Sequence, residues 1–173
     1  MNDPVTPNKP LRLLIVDDNK DAADTLVLLM QAHGYEVRTF YNGADGLASA
    51  ATFLPHAAIL DLGMPKLDGY EVARQLKHDP QTEKIVLFAL SGWADEAHVE
   101  KAKLVDFTAY FLKPLPLAKL VAVLKGLENL IDRGIASINY FEDVISAPSA
   151  PVAYPPRFDK ILRNEEERVT RAL

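Results

Sequence analysis

Five short apolar runs recur along this chain, each ending in polar or small residues and each followed by a stretch of helical periodicity. That alternation limits the fold more than any other feature. "LRLLIVD" (11–17), "YEVRTFY" (35–41), "HAAILD" (56–61), "EKIVLFALSG" (83–92) and "FTAYFLK" (107–113) read as strands, and the first is almost continuously apolar, as a strand buried on both faces should be. After the first, Leu26, Leu29, Met30 and His33 recur at helical spacing, and Gly34 ends the helix. Residues 43–53 form an Ala-rich helix, 69–79 a third helix closed by Pro80, and 94–104 a weakly amphipathic fourth. The last, 116–131, carries Leu117, Leu120, Val121, Leu124, Leu127 and Ile131 on one side. Strands alternating with helices predict right-handed βαβ units and a parallel sheet with helices on both faces, an α/β fold.

The chain of 173 residues is long enough for one domain and an appendage. Residues 1–10 hold Pro4, Pro7 and Pro10 and read as a flexible leader without the apolar core of a signal peptide. No apolar run approaches the ~18–20 residues of a membrane span, so a cytoplasmic protein without a membrane partner is expected. Cysteine is absent, which excludes disulfides and thiolate metal sites. A net charge of −5 with no basic stretch argues against nucleic acid as a partner. Residues 132–173 differ in character. Helices are expected over 134–147 and 157–171, joined by a proline-rich linker, 148–156. Such a segment is too short, too broken by proline and too weakly basic for a helix-turn-helix domain. Its stripe of Ile135, Ile138, Phe141 and Ile145 suggests packing on the body or on a second copy, a homodimer.

In parallel α/β sheets functional groups gather beyond the carboxyl ends of the strands. Here those ends carry Asp17 and Asp18, Asp61, Ser91 and Lys113. Two adjacent carboxylates repel and burial of an unpaired one is costly, so a positive group belongs there. Three carboxylates without sulfur or imidazole make a hard-oxygen site suited to Mg²⁺. Lys113 could either hold a phosphoryl oxygen or pair with Asp61. Ser91 offers a hydroxyl, and the set suits phosphoryl transfer to a carboxylate nucleophile. Asp68 and Gly69 read as turn and cap chemistry, and His33, His56, His78 and His98 as structural residues.

"LLIVDDN", "AAILDLGMPKLDGYE", "FALSG" and "AYFLKP", in this order and spacing, resemble the receiver domain of two-component response regulators over residues 11–131. The resemblance implies a flavodoxin-like, doubly wound sheet of five strands in the order 2-1-3-4-5. It implies that Asp61 is the phosphoacceptor and that Asp18, Asp17, Asp61 and the Gly63 carbonyl serve Mg²⁺. Ser91 and Lys113 would then take phosphoryl oxygens, Tyr110 would be the switch aromatic, and Pro114 would follow a cis bond. Trp93, Met64 and Pro114 would border the site, with Trp93 and Gly63 tuning access of water to the phosphoryl group. One departure is Asp106, where many relatives have glycine before the fifth strand.

The implied partners are a histidine kinase or histidine phosphotransfer protein and a downstream protein. The implied function is a phosphorylated signalling module without a DNA-binding domain, and not an enzyme turning over an external substrate. "LSGW" also resembles receivers attached to hybrid kinases, in keeping with a multistep phosphorelay. The competing readings are a receiver-fold adaptor independent of phosphate and a phosphate-ester hydrolase. The second would need an acid–base group near Asp61 that the chain does not suggest.

Overall fold

The alternation is present as read: β1 (Arg12–Val16), α1 (Lys20–Ala32), β2 (Glu36–Phe40), α2 (Gly43–Phe53), β3 (Ala57–Asp61), α3 (Gly69–His78), β4 (Val86–Ser91), α4 (Glu96–Lys103), β5 (Ala109–Leu112) and α5 (Leu117–Asp132). The structure, a computed structural model, describes residues 9–93 and 96–132. The expectations for residues 1–8 of the leader, for the helices over 134–147 and 157–171, for the linker 148–156 and for the dimerising stripe lie outside the described residues.

The strands pair in the order β2-β1-β3-β4-β5, all parallel. Their period of two divides the core between the faces. Leu13, Ile15, Ile59, Phe88 and Phe111 meet Leu26 and Met30 of α1 and Leu120, Leu124 and Leu127 of α5. Leu14, Val16, Leu60, Leu87 and Ala89 meet Val72, Ala73 and Leu76 of α3 and Ala102 of α4. Each fully buried side chain of the Leu or Phe class contributes about 1.5–3 kcal/mol. No helix among the described residues is long and apolar enough to cross a membrane.

Boundaries move where local hydrogen bonds override the apolar run. β4 begins at Val86 and not at residue 83, because Asp79 closes a turn with the amides of Gln81, Thr82 and Glu83. Leu29, on the helical stripe read from sequence, is 37% exposed; Ala23, Leu26 and Met30 form the buried line. Asp106 adopts the left-handed region at φ +59° before β5, the geometry that glycine would otherwise supply.

Three helices start on Asx side chains that accept from their own first turns: Asn19 from Ala22, Asn42 from Asp45 and Asp68 from Glu71. The cap reading of Asp68 therefore holds. Gly69 does more than follow a cap, since a Cβ there would lie 2.3 Å from the carbonyl oxygen of Asp61. The start of α3 is packed directly on the last peptide of β3. We expect Gly69→Ala to destabilise the fold by about 1–3 kcal/mol, since the opposing atom is backbone and cannot rotate away. Urea unfolding at unchanged slope would measure it. Loss of less than half a kcal/mol would mean that α3 docks more loosely.

Candidate functional site

Asp17, Asp18, Asp61, Ser91 and Lys113 stand at the carboxyl edge of the sheet, while Tyr110 lies within β5 opposite Ala89, and strand register explains why. Asp61 ends β3 opposite Leu90, and Ser91 ends β4 opposite Leu112, so Lys113 begins one residue beyond the edge. Asp17 follows β1, where its N–H donates to the Phe40 carbonyl at 3.2 Å. Asp17 is 3% exposed, Asp61 5% and Ser91 0%, whereas Asp18 faces solvent.

Lys113 joins the two buried carboxylates. Its Nζ donates to Asp61 Oδ2 at 2.9 Å and lies 3.0 Å from Asp17 Oδ2. The other oxygens are held by backbone: Asp61 Oδ1 accepts from Gly63 N–H and Asp17 Oδ1 from Asn19 N–H, each at 2.9 Å. One oxygen from each of Asp17, Asp18 and Asp61 falls within 4.8 Å of the others. Three formal negative charges thus face one ammonium. Burial pushes the Asp17 carboxyl above its usual range, and Asp61 beside it adds to that, while the Asn19 amide and Lys113 only partly oppose it. For Lys113 burial disfavours the charge, but hydrogen bonds to Asp61 and Asp17 outweigh it and raise its pKa. The Asp17 shift is thus first an effect of burial, while Lys113 gains from having two carboxylates within reach. An oxygen-only donor set with excess negative charge fits a hard divalent cation.

Around this centre Ser91 Oγ accepts from Trp93 N–H at 3.0 Å, and Tyr110 Oη donates to the Trp93 carbonyl at 2.8 Å. The Lys113–Pro114 bond is cis. Met64, in the β3–α3 loop, is buried in the core cluster that includes Val72, Ala73 and Leu76 of α3. Trp93 follows the end of β4 by two residues and is 46% exposed. His56 is structural, its Nδ1 accepting the Arg12 N–H at 2.9 Å between β1 and β3. Motif reading passes over Asn19, although an Asx residue just before a helical run is a recognisable cap. It also passes over the ring stack of Trp93 with His98, which no spacing rule reveals.

A family model of the response regulator receiver domain matches residues 13–125. The transcriptional regulatory protein PrrA of Mycobacterium tuberculosis is 36% identical over 138 residues, 79% of this chain and 57% of that protein. The chain thus spans little more than half the length of that curated relative. Protein PilH of Pseudomonas aeruginosa is 32% identical over 119 residues, 66% of this chain and 98% of PilH. The signal receiver domain of a signal transduction histidine kinase from Syntrophus aciditrophicus is similar with a TM-score of 0.65 at 26% identity, covering 70% of this chain and 92% of that one. A CheY-like receiver domain protein from Methanospirillum hungatei shares the fold, with a TM-score of 0.67 at 21% identity over 73% and 99% of the two chains.

The Asp17 shift gives a pH signature. Its folded pKa lies above the unfolded value of 3.8, so the native state holds the proton more tightly and this group's contribution to stability falls as pH rises from 3.8 through the folded pKa. Asp17→Asn is expected to raise the Tm of metal-free protein at pH 7 and to raise it much less at pH 4. Thermal melts in EDTA would measure this. A lower Tm at pH 7 would mean that the Lys113 bond outweighs the crowding.

Proposed function

The chain belongs to the response regulator receiver domain family, and from that premise we propose that it accepts a phosphoryl group on Asp61 from a phosphohistidine. The donor is a histidine kinase or histidine phosphotransfer protein, and the signal passes on through contacts with a downstream protein. The observation that carries this reading is the Lys113 bridge, at 2.9 Å to Asp61 and 3.0 Å to Asp17. It aims a buried carboxylate and keeps a cation beside it.

Gly63 N–H and Lys113 hold opposite oxygens of Asp61, so the carboxylate is oriented before any donor arrives. An Asp61 oxygen attacks the phosphorus in line, a P–O bond forms, the P–N bond to the donor imidazole breaks, and the electron pair leaves with the ring. Lys113 takes up the charge that gathers on the phosphoryl oxygens. Asp17, Asp18 and Asp61, with the Gly63 carbonyl, would hold Mg²⁺, which when bound neutralises charge on the transferred group. Ser91 Oγ accepts from Trp93 N–H, which leaves its own proton for a phosphoryl oxygen. Inward rotation of Tyr110 would break its bond to the Trp93 carbonyl, which links phosphorylation to the loop before α4.

Water returns Asp61 to the carboxylate, so the chemistry is a cycle on the protein's own side chain and not turnover of an external substrate. Output through protein contacts is supported by the net charge of −5, which favours protein over nucleic acid as the partner of this chain's own surface.

Intact mass after incubation with Mg²⁺ and acetyl phosphate tests the proposal. We expect one added phosphoryl group in the parent, none in Asp61→Ala or in EDTA, and a rate about 10²–10³-fold lower in Lys113→Ala. Folded parent protein that never gains the group, from acetyl phosphate or from a phosphohistidine donor, would favour an adaptor that works without phosphate.

A further inference from the structure

Trp93 is the chain's single tryptophan, and its ring lies against Gly63, two residues after Asp61. Indole Cη2 and Cζ3 come within 3.3 and 3.5 Å of the point a Gly63 Cβ would occupy, and Gly63 N–H is bonded to Asp61 Oδ1 at 2.9 Å. The ring fills the space that glycine leaves at the edge of the site. Two hydrogen bonds fix the Trp93 backbone, from its N–H to Ser91 Oγ and from Tyr110 Oη to its carbonyl, but neither fixes the side-chain torsions. The contact that bears on the ring itself is with His98 of α4, stacked at a centroid distance of 4.9 Å and an interplanar angle of 16°. The turn that carries His98 is anchored in its own right: Tyr70 Oη donates to the His98 carbonyl at 3.1 Å, and Lys101 Nζ lies 4.0 Å over the Tyr70 ring.

Resting on the assignment of Asp61 as phosphoacceptor, we propose that His98 is a positioning residue that lengthens the life of the aspartyl phosphate. By stacking on Trp93 it keeps the indole against Gly63, where the ring excludes water from that flank of Asp61. In the step so slowed, a water oxygen bonds to phosphorus, the P–O bond to Asp61 breaks, and the carboxylate and inorganic phosphate are released with the water's proton. His98, structural by its spacing in the sequence, thus acts on the site through another side chain.

The test uses the full chain, phosphorylated with acetyl phosphate and Mg²⁺, freed of donor and followed by intact mass. His98→Ala is expected to shorten the lifetime about twofold to tenfold, the range that loss of one aromatic pair implies. His98→Phe keeps a flat ring and should restore the parent lifetime. Trp93→Ala should decay as fast as His98→Ala, with no further acceleration in the double variant. An unchanged lifetime in His98→Ala, or a full additional effect of His98→Ala in the Trp93→Ala background, would overturn the proposal. Acrylamide quenching of Trp93 separates this from the parent reading, because it needs no phosphoryl group. Greater quenching in His98→Ala supports the positioning even if the chain takes no phosphate, and unchanged quenching contradicts it.

Discussion

One ammonium held between two buried carboxylates organises the carboxyl edge of this sheet. Lys113 reaches Asp61 and Asp17 from a strand that is not adjacent to either of theirs, since β4 lies between β3 and β5. A flexible four-carbon stem makes that reach possible. The intervening strand ends in small, fully buried Ser91, whose carbonyl accepts the Lys113 N–H at 2.8 Å. Removing Lys113 would leave two buried carboxylates side by side without their cation, whereas removing the charge of Asp17 leaves the Lys113–Asp61 pair intact. The bridge is therefore structural as well as chemical, yet it leaves charge unbalanced by design of its numbers: three carboxylates to one lysine.

That imbalance is maintained by the apolar layers beneath it. Leu60 and Ile59 of β3, buried on opposite faces, fix where Asp61 emerges, and Gly69 lets α3 press against the same peptide from outside. The carboxylate cannot drift toward solvent to relieve its crowding, because backbone amides at Gly63 and Asn19 also hold it and its neighbour. A site held with excess negative charge by good packing is prepared for a cation, and an incoming anionic phosphoryl group needs that cation all the more.

Much of this was legible in the sequence because it depends on period and position. Alternating apolar runs predicted the five strands, the parallel-sheet rule pointed to their carboxyl ends, and the resemblance supplied strand order and the residue roles on which the proposed function rests. What escaped had other causes. The start of β4 depended on side-chain and backbone bonds at Asp79 that compete with an apolar pattern. Exposed Leu29 lay on a helical stripe wider than the surface available to cover it. The Trp93–His98 stack joins a loop to a helix in a way that no spacing rule encodes, and Gly69 looked like an ordinary turn residue because its constraint appears only when the β3–α3 loop folds α3 back onto the Asp61 peptide.

The central claim is that Asp17, Asp18 and Asp61 form one cation site whose charge Lys113 alone does not balance. Calorimetric titration of Mg²⁺ into the metal-free chain addresses it most directly. The account predicts one saturable site at pH 7 that is lost in Asp61→Asn and in Asp18→Asn and kept in Asp24→Asn, an acidic residue engaged instead by Tyr41 at 2.6 Å. Binding that survives loss of Asp61, or a parent chain that takes up no Mg²⁺, would contradict it.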